Sequence, residues 1–181
     1  KKIRQALNYA LPQKFDLGKK VYSPIDPESP FYYTAAEAQP TGADLAKTVL
    51  ETPGISVDDP IIISTTAEYE PTAKAIQKAW KEVGIESKIQ IVAGVPSNFQ
   101  VLLYKFKVPQ DPDQYTLWHS TGANNITKYK NLRIDKLLED GRSTLDRDER
   151  ITLYSDFQKY LLDDVPASFL YFPYTYTLKR K

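Results

Sequence analysis

The run IIISTTAEYEPTAKAIQKAWKEVGIESKIQIV, residues 61–92, decides the fold. Ile61, Ile62 and Ile63 are three β-branched residues in succession, the pattern of a central strand. Pro71 suits the first turn of a helix, where its missing N–H costs nothing. Ala73, Ile76, Ala79, Trp80 and Val83 recur at helical spacing, and Gly84 supplies the stop. From Ile85 to Val92 apolar and polar residues alternate, as in a second strand. Strand, helix and strand in this order make one crossover unit, which favours parallel pairing. The class that follows is α/β, a mixed β-sheet covered by helices.

Upstream, Ile3, Ala6, Leu7 and Ala10 share one helical face, and Pro12 ends the helix. Residues 19–35 contain Pro24, Pro27 and Pro30 and read as extended, with Tyr22, Phe31, Tyr32 and Tyr33 as anchors. Thr41, with Asp44 three positions on, reads as the N-cap of a helix reaching about Glu51. Leu45, Val49 and Leu50 face inward there, and Pro53-Gly54 closes it. Downstream, residues 99–108 read either way: Phe99, Leu102 and Leu103 suit a helix, while Tyr104 to Val108 alternates like a strand. Ile134, Leu137 and Leu138 mark a helix ending near Gly141. Asp146 with Glu149 is a capping-box pattern, and Ile151, Tyr154, Phe157 and Leu161 give the inner face of the helix it opens. Pro166 follows that helix, and residues 169–178 read as a final strand. With no repeat, low-complexity tract or interior linker, residues 1–181 read as a single domain.

Composition narrows the function. The net charge is +1, which gives no electrostatic case for nucleic acid or an acidic membrane. Cys is absent, which excludes disulfides, thiolate catalysis and Cys-ligated zinc and fits an oxidising compartment. Met is absent even at residue 1, and the chain reads as a piece of a longer one. The 13 Tyr against 7 Phe point to surfaces that are half buried and half wet.

The chemistry concentrates in DPDQYTLWHSTGANNITKY, residues 111–129. This loop holds His119 beside Trp118, the pair Ser120-Thr121, and the adjacent amides Asn124 and Asn125. Such side chains suit a binding surface, because loops on a rigid scaffold carry most recognition. They also suit a plain surface loop whose Asx and Ser/Thr groups cap their own turns. In the first case Trp118 offers a face for stacking and the amides offer donors and acceptors; in the second Trp118 is a core residue. A zinc or iron site needs several ligands, and His119 is the only His. Ser120 beside His119 suggests a nucleophile and base, but sequence neighbours rarely meet in that geometry and no G-x-S-x-G elbow exists. Asp111-Pro112-Asp113 is first of all a turn signal, and the charged run from Glu139 to Arg150 reads as a solvated helical face. No Gly-rich phosphate loop and no cofactor are implied. Binding is therefore the better class, with a hydrolase or an autonomous protein-interaction module using exposed aromatics as the alternatives.

The order of motifs carries a resemblance. IRQALNYAL, residues 3–11, resembles the "VRQALNYAID" helix of the bacterial family 5 extracellular solute-binding proteins, the peptide- and nickel-binding components of ABC importers. SPIDPESPFYY (23–33) looks like that family's proline-rich extended stretch, and ADLAKTVLETPGI (43–55) and AKAIQKAWKEVGI (73–85) are similar to two of its helices. DPDQYTLWHSTGANNITKYKNLRIDKLLEDGRSTLD and RITLYSDFQKYLLDDVPASFLYFPY are close to a subfamily pattern.

The resemblance spans the whole chain in order. It implies the second, C-terminal lobe of a two-lobed, non-enzymatic protein, periplasmic or extracellular. The missing N-terminal lobe, a signal peptide and any lipid-anchoring Cys would precede Lys1. The implied partners are that lobe, the ABC permease in the membrane, and a small solute, peptide or oligosaccharide. It places Tyr104, Phe106, Trp118, His119, Asn124 and Asn125 near the ligand cleft. One departure matters. Peptide-binding members often carry an aromatic and then an acid before the D-P, the acid pairing with the peptide's amino terminus. Here those positions fall on Lys105 and Val108. A buried ammonium without a counter-ion costs several kcal/mol, so only a shift of register would let Asp111 take the role.

Overall fold

The chain is organised as two interleaved units, residues Lys1–Asp16 with Pro40–Phe106, and Leu17–Gln39 with the residues from Lys107 on. The computed structural model describes residues 1–177. In chain order the elements are α1 (Lys2–Tyr9), β1 (Gly18–Lys20), α2 (Ala43–Leu50), β2 (Ile61–Thr65), α3 (Glu70–Glu82), β3 (Ser87–Ile91), β4 (Val101–Leu103), α4 (Tyr115–Trp118), α5 (Leu132–Ser143), α6 (Arg147–Asp164) and β5 (Tyr171–Pro173). The 3₁₀ turns Thr34–Ala38 and Ala67–Tyr69 complete it. The fold is α/β, with parallel and antiparallel pairing divided between two sheets.

In the first unit β2 is central, as its three Ile imply, with the order β3-β2-β4. Ile61 pairs with Ser87 and Ile63 with both Ile89 and Val101, all parallel. The ambiguous stretch forms the short edge strand β4 at Val101–Leu103, in the part read as helical, while Tyr104 to Val108, read as strand, has no regular structure. α3 buries Thr72, Ala73, Ile76 and Trp80. It ends as Gly84 implies: at φ 84° the Gly84 amide donates to Lys81 O, and the Ile85 amide reaches Trp80 O at 2.9 Å. That is a Schellman stop, which needs a left-handed residue at the first position past the helix. The Trp80 indole N–H donates to Leu7 O at 3.0 Å and ties α3 to α1. α2 differs from its reading. Gly42, at φ 137°, is the N-cap, while the Thr41 hydroxyl donates to Gln13. Ala46 is the buried residue of α2 and Leu45 is exposed.

In the second unit α5 and α6 hold the core. Trp118, Ile134, Leu138, Tyr154, Phe157 and Leu161 bury together with Ile25 of the proline-rich segment. The Asp146 carboxylate caps α6 through the Glu149 amide at 2.9 Å. Gly141 does not stop α5, which runs on to Ser143. Its glycine makes room for Tyr154, since a Cβ there would lie 2.9 Å from the Tyr154 ring. The final strand is shorter than residues 169–178, covering Tyr171–Pro173 in antiparallel pairing with β1; Leu178 lies outside the described residues.

The proline-rich segment lacks a strand partner along most of its length, so side chains satisfy its backbone. Gln158, fully buried on α6, does most of this. Its Nε2 donates to Phe31 O at 2.7 Å and to Tyr154 O at 2.8 Å. Its Oε1 accepts from the Ser23 hydroxyl at 2.6 Å and the Tyr33 amide at 3.1 Å. Buried Gln114 adds a bond from Nε2 to Pro24 O at 2.6 Å. Replacing Gln158 by Leu removes the acceptor of the Ser23 hydroxyl and of the Tyr33 amide and the donor to the Phe31 carbonyl, each bond worth about 1–3 kcal/mol when buried. Gln158→Leu should lower unfolding stability by roughly 3 kcal/mol in urea titration; a loss under about 1 kcal/mol would show that water replaces the amide.

Candidate functional site

The 111–129 loop is built from its charges inward. Asp111 Oδ1 accepts the Asp113 amide at 2.9 Å, and Asp113 Oδ1 accepts the Tyr115 amide at 3.0 Å. Two consecutive Asx turns thus start α4, as the D-P-D signal implies. Each Asp is held by an Arg from a helix. Arg150 of α6 donates to both Asp111 oxygens, at 2.8 and 3.1 Å, and Arg142 of α5 pairs with Asp113 at 3.0 Å. The Arg142 guanidinium lies 4.6 Å from the Tyr115 ring centre, and that ring stacks on His119 at 4.0 Å and 17°. α5 also offers Asp135 and Glu139. Asp135 accepts the Ser120 amide at 2.7 Å, and Glu139 meets His119 Nε2 at 3.3 Å. Asp135, Glu139 and Arg142 stand at i, i+4 and i+7, one stripe of the helix. The charged run read as a solvated face is, at Glu139, Arg142 and Arg150, the clamp on this loop.

His119 sits inside that clamp, 6% exposed. The Thr121 amide donates to Nδ1 at 3.1 Å, which puts the imidazole proton on Nε2, facing Glu139. Thr121 Oγ1 is 2.9 Å from Nδ1. The row Thr121, His119, Glu139 has the outline of a nucleophile, base and acid. With its proton on Nε2, Nδ1 accepts both the amide and the hydroxyl of Thr121, so the contact ties the imidazole to its own turn. Ser120 contributes its amide to Asp135, not a nucleophile to His119. Among the described residues no group of His, Asp and Glu could hold a metal ion, and no helix is long and apolar enough to cross a membrane.

The residues singled out in the sequence separate. Trp118 is 5% exposed; its indole N–H donates to Gln114 Oε1 at 2.8 Å and its ring meets Phe169 edge-on at 6.1 Å. It is a core residue, with no face left for stacking a solute. Asn125 spends its amide on its own loop. Its Nδ2 donates to His119 O and Tyr129 O, at 3.1 and 2.8 Å, and its Oδ1 accepts from Thr127 Oγ1 and the Tyr129 amide. All four bonds an amide side chain makes are used, so Asn125 shapes the loop and has nothing left to offer a ligand. Asn124 is exposed and its side chain makes no hydrogen bond among the described residues, while its backbone amide is fixed on Thr116 O at 2.9 Å. The cap of α5 is Asn131, which accepts from the Arg133 and Ile134 amides. Gly122 is forced: a Cβ would lie 2.6 Å from Thr116 O. Tyr104 and Phe106 belong to the first unit, directly after β4, and are 47% and 39% exposed. Asp111 is paired with Arg150, which offsets its charge. Sequence reading missed Gln114, Gln158, Asp135, Arg142 and Arg150. The signal for Gln158 was its place on the buried Tyr154–Leu161 stripe, where a polar residue must have a reason.

No family model matches the chain. It is 33% identical over 116 residues to the oligopeptide-binding protein AppA of Bacillus subtilis, a match to 58% of this chain and 21% of that protein. It is similar to the structure of Bacillus subtilis AppA in complex with a nonapeptide, with a TM-score of 0.80, 27% identity, and 95% of this chain and 41% of that one covered. It also matches the periplasmic binding protein DppA of Helicobacter pylori in complex with peptide STSA, with a TM-score of 0.83, 24% identity, and 96% and 39% covered. The chain thus spans no more than about two fifths of the length of these relatives. The resemblance to the family 5 solute-binding proteins of ABC importers stands in sequence and in fold, for part of their length.

Two outcomes follow from this geometry. Trp118→Ala empties a buried site and should cost about 3–5 kcal/mol of unfolding stability; a melting temperature unchanged from the parent would return Trp118 to the surface. Asp111 gives a pH signature. Burial raises its carboxyl, but the hydrogen bond from Arg150, the Asp113 amide and the Arg150 charge outweigh burial and hold it below the ordinary 3.8. A depressed carboxyl contributes stability that is full above the ordinary value and is lost as pH falls through the folded one. Asp111→Asn should therefore lower the melting temperature at pH 7, and the gap should narrow as pH drops below 3.8. A gap that is constant with pH would assign the loss to packing.

Proposed function

We propose that residues 1–181 form the second lobe of an extracytoplasmic solute-binding component of an ABC importer. Its solute is a peptide or a related small molecule such as an oligosaccharide, and it catalyses no reaction. The observation that carries this reading is the likeness to nonapeptide-bound AppA, which takes in nearly the whole of this chain. In such an arrangement two lobes close over the solute by a hinge, and the closed form docks on the membrane permease. Within the first unit the proposed ligand-facing groups are Tyr104 and Phe106, both exposed; the second unit, taken by itself, offers exposed Asn124. Trp118, His119 and Asn125 serve by shaping the loop that presents Asn124. The clamp from α5 and α6 supports this role, because affinity depends on polar groups placed before the ligand arrives.

A pocket buries most of a ligand's surface, and one wall buries far less. Residues 1–181 alone should therefore bind peptides or oligosaccharides weakly or not at all in calorimetry, while the whole protein that carries them binds. Tight binding by residues 1–181 alone would overturn the two-lobed reading.

A further inference from the structure

Four exposed apolar residues of the first unit lie at or beyond the C-terminal ends of β3 and β4. β2, β3 and β4 run parallel, so their C-terminal ends form one rim. Ile91 closes β3, Val95 follows it, and Tyr104 and Phe106 follow β4; the four are 39–49% exposed. In open parallel sheets ligands sit at this rim, and exposed apolar surface gathered in one place marks a binding site. The rim has a stiff base. Thr65, buried at the end of β2, donates its hydroxyl to Leu103 O at 3.0 Å, and its carbonyl accepts the Val92 amide at 2.8 Å. Both neighbouring strands are thus tied to Thr65 at the point where they leave the sheet.

The charges here have one sign. From Ile91, at the end of β3, to Phe106 there is no Asp or Glu, and the charged residue is Lys105. Lys105 stands between Tyr104 and Phe106, is exposed and has no ion pair among the described residues. The acids nearest the rim in sequence follow β2. Glu70 is paired with Lys74 at 2.8 Å, and Glu68 is exposed on the Ala67–Tyr69 turn, where Tyr69 is buried and offers no apolar face.

Resting on the solute-binding reading, we propose that this rim receives a solute with an apolar body and a carboxylate. Tyr104 and Phe106 cover the body, and the Lys105 ammonium meets the carboxylate in a charge-assisted hydrogen bond. The test is calorimetry of the whole protein with two matched probes. N-acetyl-phenylalanyl-leucine carries a carboxylate and no ammonium; phenylalanyl-leucine amide carries an ammonium and no carboxylate. The acetylated probe should bind at least roughly tenfold tighter than the amide, and Lys105→Gln should weaken it by about tenfold. Glu68→Gln should leave it unchanged, with melting curves confirming that both variants fold. The proposal is overturned if the amide binds as well as the acetylated probe, if Glu68→Gln and not Lys105→Gln costs affinity, or if neither probe binds. The solute-binding reading falls separately, if a tryptic digest of casein also gives no heat.

Discussion

The saturated amide of Gln158 is the interaction on which the second unit depends. A proline-rich segment cannot complete a strand ladder, because proline lacks the donor and restrains its neighbours. Its carbonyls and remaining amides still need partners once Val21, Ser23, Pro24 and Ile25 are buried. Gln158 answers with two donors and two acceptors, all used, and Gln114 repeats the device for Pro24. With the segment fixed, Ile25 can enter the core and Phe31 can meet Tyr154 edge-on at 5.8 Å. The same helix then carries Arg150 to Asp111. One buried polar side chain thus connects a segment without regular structure to the helix that clamps the loop.

What the sequence made legible was periodic or conformationally forced. The Ile61–Ile63 run, the α3 stripe and Gly84 each have a local cause, and each appears where read. The α6 face of Tyr154, Phe157 and Leu161 is legible for the same reason. Leu45 and Gly141 were misread because local pattern does not say what faces a residue: Ala46 takes the buried place in α2, and Gly141 lies under a ring from another helix. The division into two units has no marker at all. The chain crosses between them near residues 16, 39 and 106 without a linker, and linkers are what composition reveals.

The loop shows the same limit in its chemistry. Residue types there permitted ligand contact, metal binding or catalysis, and hydrogen-bond geometry separates them. Asn124 and Asn125 are adjacent and chemically identical, yet one is exposed with no side-chain bond among the described residues and the other spends every bond on its own loop. Which is which depends on the turn between His119 and Tyr129, and that turn is held from α5. The stripe of Asp135, Glu139 and Arg142 was visible as spacing. Its meaning was not, because charges on a helix face water unless something is brought to them.

The pairing of β1 with β5 bears on how the polypeptide is made. These strands are near opposite ends of the described chain, with the larger part of the first unit, Pro40–Phe106, synthesised between them. Contacts so distant in sequence carry the loop-closure entropy of everything between them and slow folding. The β2-α3-β3 crossover, by contrast, closes within some thirty residues, so it is available early during synthesis. β1 emerges first and waits longest for its partner. Until β5 arrives, Gly18–Lys20 is an unpaired edge, and its two lysines are the kind of residue that keeps such an edge from pairing with another chain.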